Sequence, residues 1–214
     1  MTLAPPPPAR TAHDAHDAHG TEPPSAWVQR WSPLVKPAGT VLDVACGQGR
    51  HTHWFHARGH AVTAVDQSAS ALAAIELPAS RCEKVVADIE AGPWPFDGRC
   101  FDAVVVTHYL WRPLLGTLLA SLAPEGVLIY ETFTQGNETV GKPSRPDFLL
   151  TTGELLSVCR GLRIVAFEDG FEQGVDAGRT GFKPPNRTAA SRFIQRITAV
   201  REGPAGVPAR YPLN

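Results

Sequence analysis

From residue 40 onward, short runs of apolar, often β-branched residues alternate with longer stretches of helical character. TVLDVAC (40–46), AVTAV (61–65), KVVAD (84–88), the run within FDAVVVTHYL (101–110) and GVLIYETF (126–133) read as five strands. Between them the pattern predicts three helices. One covers about 50–58 and is closed by Gly59; the next runs from an N-cap at Ser68 to about residue 77, stopped by Pro78. The third is the apolar segment RPLLGTLLASL (112–122). Ahead of the first strand, SAWVQRW sets Trp27 and Trp31 on one face of a short helix that Pro33 and Pro37 end. After the fifth strand, residues 153–160 read as a helix, and LRIVAFE (162–168) and RFIQRITAV (192–200) as late strands joined by a Gly- and Pro-rich loop over 169–190. Strands without a polar face, interleaved with helices, predict an α/β fold whose parallel sheet is covered on both sides.

Composition sets the limits of that domain. Residues 1–24 hold a polyproline run (Pro5 to Pro8) and the repeat AHDAHDAHG, which bury no apolar surface, so a disordered tail is expected there. His13, His16 and His19 in it are read as a solvated tail in preference to a metal-binding tag. The domain is placed at 25–201, with a flexible tail at 202–214. The four cysteines (Cys46, Cys82, Cys100 and Cys159) form no CxxC pair, which fits neither a zinc knuckle nor a disulfide scaffold; reduced thiols and no metal site are expected. A formal net charge of -1 provides no general field for nucleic-acid phosphate, so nucleic acid is disfavoured as a partner. No basic-then-apolar leader opens the sequence and no apolar run is of membrane-spanning length. A cytoplasmic protein with no membrane partner is the expectation.

The chemistry concentrates at the ends of the first three strands. Asp43 precedes the turn Ala45, Cys46, Gly47, Gln48, Gly49, and Arg50 opens the following helix. Glycines there let the backbone turn and approach a ligand, and the helix start offers unpaired N–H groups. Asp66, followed by Gln67, ends the second strand, where a carboxylate can accept two hydrogen bonds from a ribose diol. Such charge-assisted bonds contribute on the order of 1.5–3 kcal/mol each. Asp88 ends the third, able to accept from an adenine amino group while Ile89 packs on the base. Each acidic residue also has a structural reading, as a turn cap, a helix cap or a solvated loop residue; their regular spacing together favours the ligand. A dinucleotide fingerprint needs a third glycine, and Thr52 stands in its place, with bulky Arg50, His51 and His53 at the helix start.

The stretch LDVACGQGRHTHWFHARGHAVTAVDQSASAL resembles motif I and the following strand of class I S-adenosylmethionine-dependent methyltransferases, small bacterial tellurite-resistance and thiol-methyltransferase types above all. The resemblance covers roughly 36–200, with Ala45 where the commoner motif has its first glycine. It implies a Rossmann-like, seven-stranded, mostly parallel sheet with helices on both faces and one antiparallel strand near the C-terminus. It also implies S-adenosylmethionine as cofactor, with Asp43 and Gly47 at its methionine end, Asp66 on the ribose, and Asp88 and Ile89 on the adenine. His108, after strand four, falls where such enzymes face the methyl group.

The candidate cofactor-binding set is Asp43, Ala45, Cys46, Gly47, Gly49, Arg50, Asp66, Gln67, Asp88, Ile89 and Thr107. The candidate catalytic or acceptor-positioning residues are His108, Tyr109 and Glu131. His108 has the pKa best suited to a base, while a mere wall for the pocket is the competing role for it and Tyr109. Arg50 and His51 are candidates for the cofactor carboxylate or for the substrate. The long polar segment from Thr134 to Leu150, with Asn137, Arg145 and Phe148, is the candidate substrate lid. A methyltransferase acting on a small molecule is the favoured function. An RNA or protein methyltransferase and a non-catalytic S-adenosylmethionine-binding protein remain as alternatives.

Overall fold

Period-two alternation decides which helices each strand faces. In the computed structural model, Val41, Val62, Ala103, Val105, Val127 and Ile129 point to one side of a sheet and pack with Trp27, Val28, Trp31 and Phe55. Leu42, Val44, Val104, Val106, Leu128 and Tyr130 point to the other and pack with Leu110, Leu114, Leu118 and Leu155. The structure describes residues 22–174, 190–203 and 211–213. The His-rich tail, and the 175–189 part of the expected loop, lie outside the described residues.

The strands are β1 (Thr40–Val44), β2 (Ala61–Asp66), β3 (Cys82–Val86), β4 (Phe101–Thr107), β5 (Leu122–Phe133), β6 (Arg163–Glu172) and β7 (Arg192–Val200). They form one sheet in the order β3-β2-β1-β4-β5-β7-β6. Pairing from β3 through to β5 is parallel; β7 runs antiparallel to both of its neighbours. This is the Rossmann-like, mostly parallel sheet that the resemblance implies, with the one reversed strand near the C-terminus. Strand order turns back between β1 and β4, and in open α/β sheets ligands sit at the carboxyl ends of the strands at such a switch point.

The helices are α1 (Ala26–Trp31), α2 (Arg50–Ala57), α3 (Ala69–Ala73), α4 (Leu115–Ala120) and α5 (Glu154–Val158). Ser25 caps α1, its hydroxyl accepting from the Trp27 and Val28 N–H groups. Pro33 then opens a 3-10 turn, Ser32–Leu34. Several boundaries differ from the sequence expectation. Strand β3 starts and ends two residues earlier than 84–88, so Asp88 lies in the turn beyond it. Helix α3 stops at Ala73, well short of residue 77. The 112–122 segment is a 3-10 turn plus α4, and Leu122 is already extended beside Phe101. Strand β6 continues to Glu172, into the stretch expected as loop, because β7 offers a partner at every step from Phe167 to Glu172. At β3 and β6, pairing with a neighbouring strand overrode local propensity. Beyond β7, Tyr211 packs on the Trp27 cluster and the Arg30 guanidinium donates to the Leu213 carbonyl.

Candidate active site

The β1–α2 turn uses three left-handed residues in a row of five: Ala45 (φ 51), Gly47 (φ 54) and Gly49 (φ 78). The two glycines serve different ends. A Cβ on Gly47 would meet nothing within 4 Å, so its backbone faces open space; one on Gly49 would lie 2.6 Å from Cδ1 of Ile75. Gly47 therefore exposes backbone, and Gly49 allows the helix start to close on its neighbour. The Asp66 carboxylate ties two turns together, accepting from the Gly47 N–H at 2.9 Å and the Ser68 N–H at 2.8 Å. Asp43 is buried and accepts from the Thr52 hydroxyl at 2.6 Å. Burial raises its carboxyl from 3.8 to about 6, against the lowering pull of the Thr52 bond and the Arg50 cation. Cys46 is buried too, and desolvation lifts its thiol well above the usual range.

Beside this turn lies a shallow cleft, partly open to solvent, lined by Ala45, Asp66, Gln67, Ala87, Asp88, Ile89, Glu90 and Tyr109. Asp88 uses one oxygen to accept the Glu90 and Ala91 N–H groups, which fixes the turn that carries Ile89. Tyr109 has its phenol pushed up by burial and by Glu90, so it stays protonated at ordinary pH. An apolar wall, two carboxylates and an exposed glycine backbone are the groups that a nucleoside with a charged tail needs. The residues present thus fit S-adenosylmethionine.

The second half of the site follows β4. His108 takes a left-handed φ of 54, with its N–H donating to the Glu131 carbonyl, and the Tyr130 hydroxyl donates to the Tyr109 carbonyl. Those two bonds hold the backbone just past β4. The His108 ring lies 5.0 Å from that of Phe133, and its Nε2 meets Nη1 of Arg192 at 3.1 Å. Since a guanidinium only donates, Nε2 accepts and the imidazole proton sits on Nδ1. Glu131 is fully buried, accepting from the Ser25 hydroxyl at 3.0 Å and from Nη1 of Arg196 at 3.2 Å. His51, buried beside it, accepts from the Ser25 N–H at Nε2 (3.1 Å), and its Nδ1 is 3.4 Å from the Thr107 hydroxyl. Burial and the Arg50 cation push the His51 imidazole down to about 3, so it is neutral. Arg50 does not line that cleft and pairs with Glu22 at 3.0 Å.

The 134–150 segment is tied at its neck. Thr134 and Leu150 form a bridge, the Asn137 amide spans to the Pro143 carbonyl and the Phe193 N–H, and Arg112 donates to the carbonyls of Asp147 and Leu149. Asn137 is a buried strut, whereas Arg145 is exposed and paired with Asp147.

With this geometry in hand, similarity to known proteins is informative. Residues 41–126 match the family model described as a methyltransferase domain. Over that stretch the chain is similar to methyltransferase domains. The cofactor of such domains is S-adenosylmethionine. The chain is 33% identical over 103 residues to a malonyl-[acyl-carrier protein] O-methyltransferase from Salmonella typhimurium, a match spanning 46% of this chain and 40% of that relative. Among solved structures, TehB from Haemophilus influenzae superposes with a TM-score of 0.60 at 16% identity, covering 80% of this chain and 60% of that one. An S-adenosylmethionine-dependent methyltransferase from Mesorhizobium loti also gives 0.60, at 19% identity over 83% of this chain and 99% of that one. At those identities the structural matches establish the fold. Among the described residues no helix is long and apolar enough to cross a membrane.

Four residues around His108 and Glu131 escaped the sequence reading: Ser25, Glu172, Arg192 and Arg196. A signal for three of them was present. Glu168 and Glu172 are four apart, as are Arg192 and Arg196, and the antiparallel register sets Glu168 opposite Arg196 and Glu172 opposite Arg192. Ser25 was legible only as a helix cap.

Proposed function

We propose that the protein transfers a methyl group from S-adenosylmethionine to a small-molecule acceptor, in the cytoplasm, through a domain spanning 25–201. The observation that carries this reading is the open face of Gly47 beside the Asp66 cleft, at the sheet's switch point. In this reading Asp66 and Gln67 hold the ribose, Asp88 and Ile89 the adenine, and Asp43, Ala45, Cys46, Gly47 and Gly49 shape the methionine end. When bound, the cofactor supplies a sulfonium-activated methyl group. The chain's task is then to align an acceptor with it, and orientation alone recovers roughly 7–11 kcal/mol of barrier.

Thr107 and His108 sit between the two halves and position the acceptor. Tyr109 stays protonated and packs as a wall. Glu131 acts through Ser25 and Arg196, holding the entrance together. With Arg192 donating to its Nε2, His108 has no free lone pair there to serve as a base. That arrangement suits an acceptor that attacks without first losing a proton, for which no general base is needed.

Calorimetric titration with S-adenosylhomocysteine, with NADH in parallel, tests the cofactor. Micromolar binding of the first alone is expected, followed by turnover in a panel of small acceptors. A folded protein that ignores S-adenosylhomocysteine overturns the reading; binding with turnover only on tRNA or protein overturns the small-molecule acceptor.

A further inference from the structure

His51 is a buried histidine in the first turn of α2, the helix that follows the glycine turn. A polar ring in such a place costs free energy unless its nitrogens are bonded. Both have partners. Nε2 takes the Ser25 N–H at 3.1 Å, and Nδ1 lies 3.4 Å from the Thr107 hydroxyl. A backbone N–H only donates, so Nε2 is the bare nitrogen. Burial and the Arg50 cation keep the imidazole neutral, and its single proton therefore sits on Nδ1, directed at Thr107.

These contacts meet at the sheet's switch point. Thr107 is the last residue of β4. Val44 and Val106 are register partners, so Ala45 and Thr107 each follow that pair by one residue. Ala45 is the strained member of the glycine turn. It holds a left-handed φ of 51 without being glycine, a conformation that persists only where surrounding contacts enforce it. On the β2 side the turn is held by the Gly47 N–H on Asp66 and the Cys46 N–H on the Val65 carbonyl. On the β4 side His51 reaches Thr107. Thr107 is in turn the register partner of Glu131, whose carboxylate accepts from the Ser25 hydroxyl. Ser25, His51, Thr107 and Glu131 thus close a ring that joins the start of α2, the ends of β4 and β5, and the backbone just ahead of α1.

We propose that His51 is a positioning residue for the cofactor site: protonated on Nδ1, it ties the start of α2 to the end of β4 and to the Ser25 backbone, and so holds the glycine turn in the shape that S-adenosylmethionine meets. The proposal rests on the cofactor reading and adds to it a side chain that does not line the cofactor cleft. A histidine that merely fills the core would leave affinity unchanged when a ring of similar shape replaces it. Phenylalanine is such a ring and offers neither hydrogen bond. Glutamine offers both, a carbonyl for the Ser25 N–H and an amide N–H for Thr107.

Two measurements on the full chain test this. In long-range proton–nitrogen NMR of the histidine rings, the His51 signals are identified by their loss in His51→Gln. They should show a bare Nε2 and a protonated Nδ1, unchanged between about pH 5 and 8. A proton on Nε2, or titration within that range, overturns the proposal. In calorimetric titration with S-adenosylhomocysteine, His51→Phe should bind about five- to tenfold more weakly, and His51→Gln within about twofold of wild type. Thr107→Val should weaken binding in the same direction, and combining it with His51→Phe should add less than about twofold, because both remove one contact. His60, a second buried histidine, stacks on Phe55 away from the cleft; His60→Phe is the control and should leave affinity within about twofold of wild type. A His51→Phe variant that binds like wild type, a His51→Gln variant as weak as His51→Phe, or additive losses in the double variant overturns the proposal. Should His51→Phe fail to fold, unchanged affinity in Thr107→Val overturns it equally. Wild-type protein that ignores S-adenosylhomocysteine refutes the cofactor reading instead, and the ring nitrogens still report the tautomer.

Discussion

Asp43 is a buried carboxyl whose titration should be visible in the stability of the whole domain. Only 2% of it is exposed, so solvent gives little relief. Its folded value, about 6, lies above the ordinary 3.8 because burial outweighs the Thr52 hydrogen bond. A raised folded pKa means that the native state binds the proton more tightly. The stabilising contribution is complete below pH 3.8 and is lost as pH rises through 6. At about 1.4 kcal/mol per pH unit, the full span corresponds to roughly 3 kcal/mol, of which about 2 kcal/mol falls between pH 4 and 7. Asp43→Asn removes the titration while leaving an oxygen to accept from Thr52. The new amide N–H groups carry a burial penalty, but that penalty does not vary with pH and cancels from the slope. Urea unfolding of both proteins at pH 4, 5, 6 and 7 should therefore show the mutant gaining on wild type by about 2 kcal/mol across the series. A difference that stays flat to within about 0.5 kcal/mol would mean that Asp43 is ionised in the native state throughout, and the burial argument would be wrong.

Three further outcomes follow from the same geometry. Asp66→Ala should weaken S-adenosylhomocysteine binding by roughly ten- to a hundredfold in calorimetry, and unchanged affinity in a folded variant would remove Asp66 from the site. Ser25→Ala loses a helix cap and a partner of buried Glu131 together; a loss of about 1–3 kcal/mol in urea unfolding is expected, and a loss under about 0.5 would show that water replaces the hydroxyl. Alanine at the two motif glycines should separate their roles. Gly47→Ala should carry only the left-handed backbone penalty of about 1 kcal/mol, whereas Gly49→Ala adds a collision with Ile75 and should lose about 2–4 kcal/mol; equal thermal shifts would refute the distinction.

The half of the site proposed for the nucleoside was legible as a local arrangement because its signals are local. A strand, a glycine turn and a helix start are contiguous, and Asp43, Gly47 and Asp66 could be read off a short stretch of chain. Asp88 was readable by type, although it proved to sit in the turn after β3 and not on the strand. The acceptor half was not legible in this way. His108 carries its ordinary reading as a base only while Nε2 is free, and it is Arg192, from a strand 84 residues onward, that occupies Nε2. Glu131 reads as a strand-end acid until Ser25 and Arg196 enclose it. The lid expected over 134–150 is tied down by Arg112 and Phe193, neither of which lies in that segment.

Alternation of apolar residues, glycine at positive φ, capping hydroxyls and acidic strand ends are properties of neighbouring residues, so the chain by itself determined an α/β domain, its strands and its glycine turn after β1. Strand order and the antiparallel register of β7 between β5 and β6 depend on contacts between distant segments. That register, and the pairing of β7 with β5, sets Arg192 and Arg196 among Glu131, Glu168 and Glu172, a meeting that the tertiary structure alone decided.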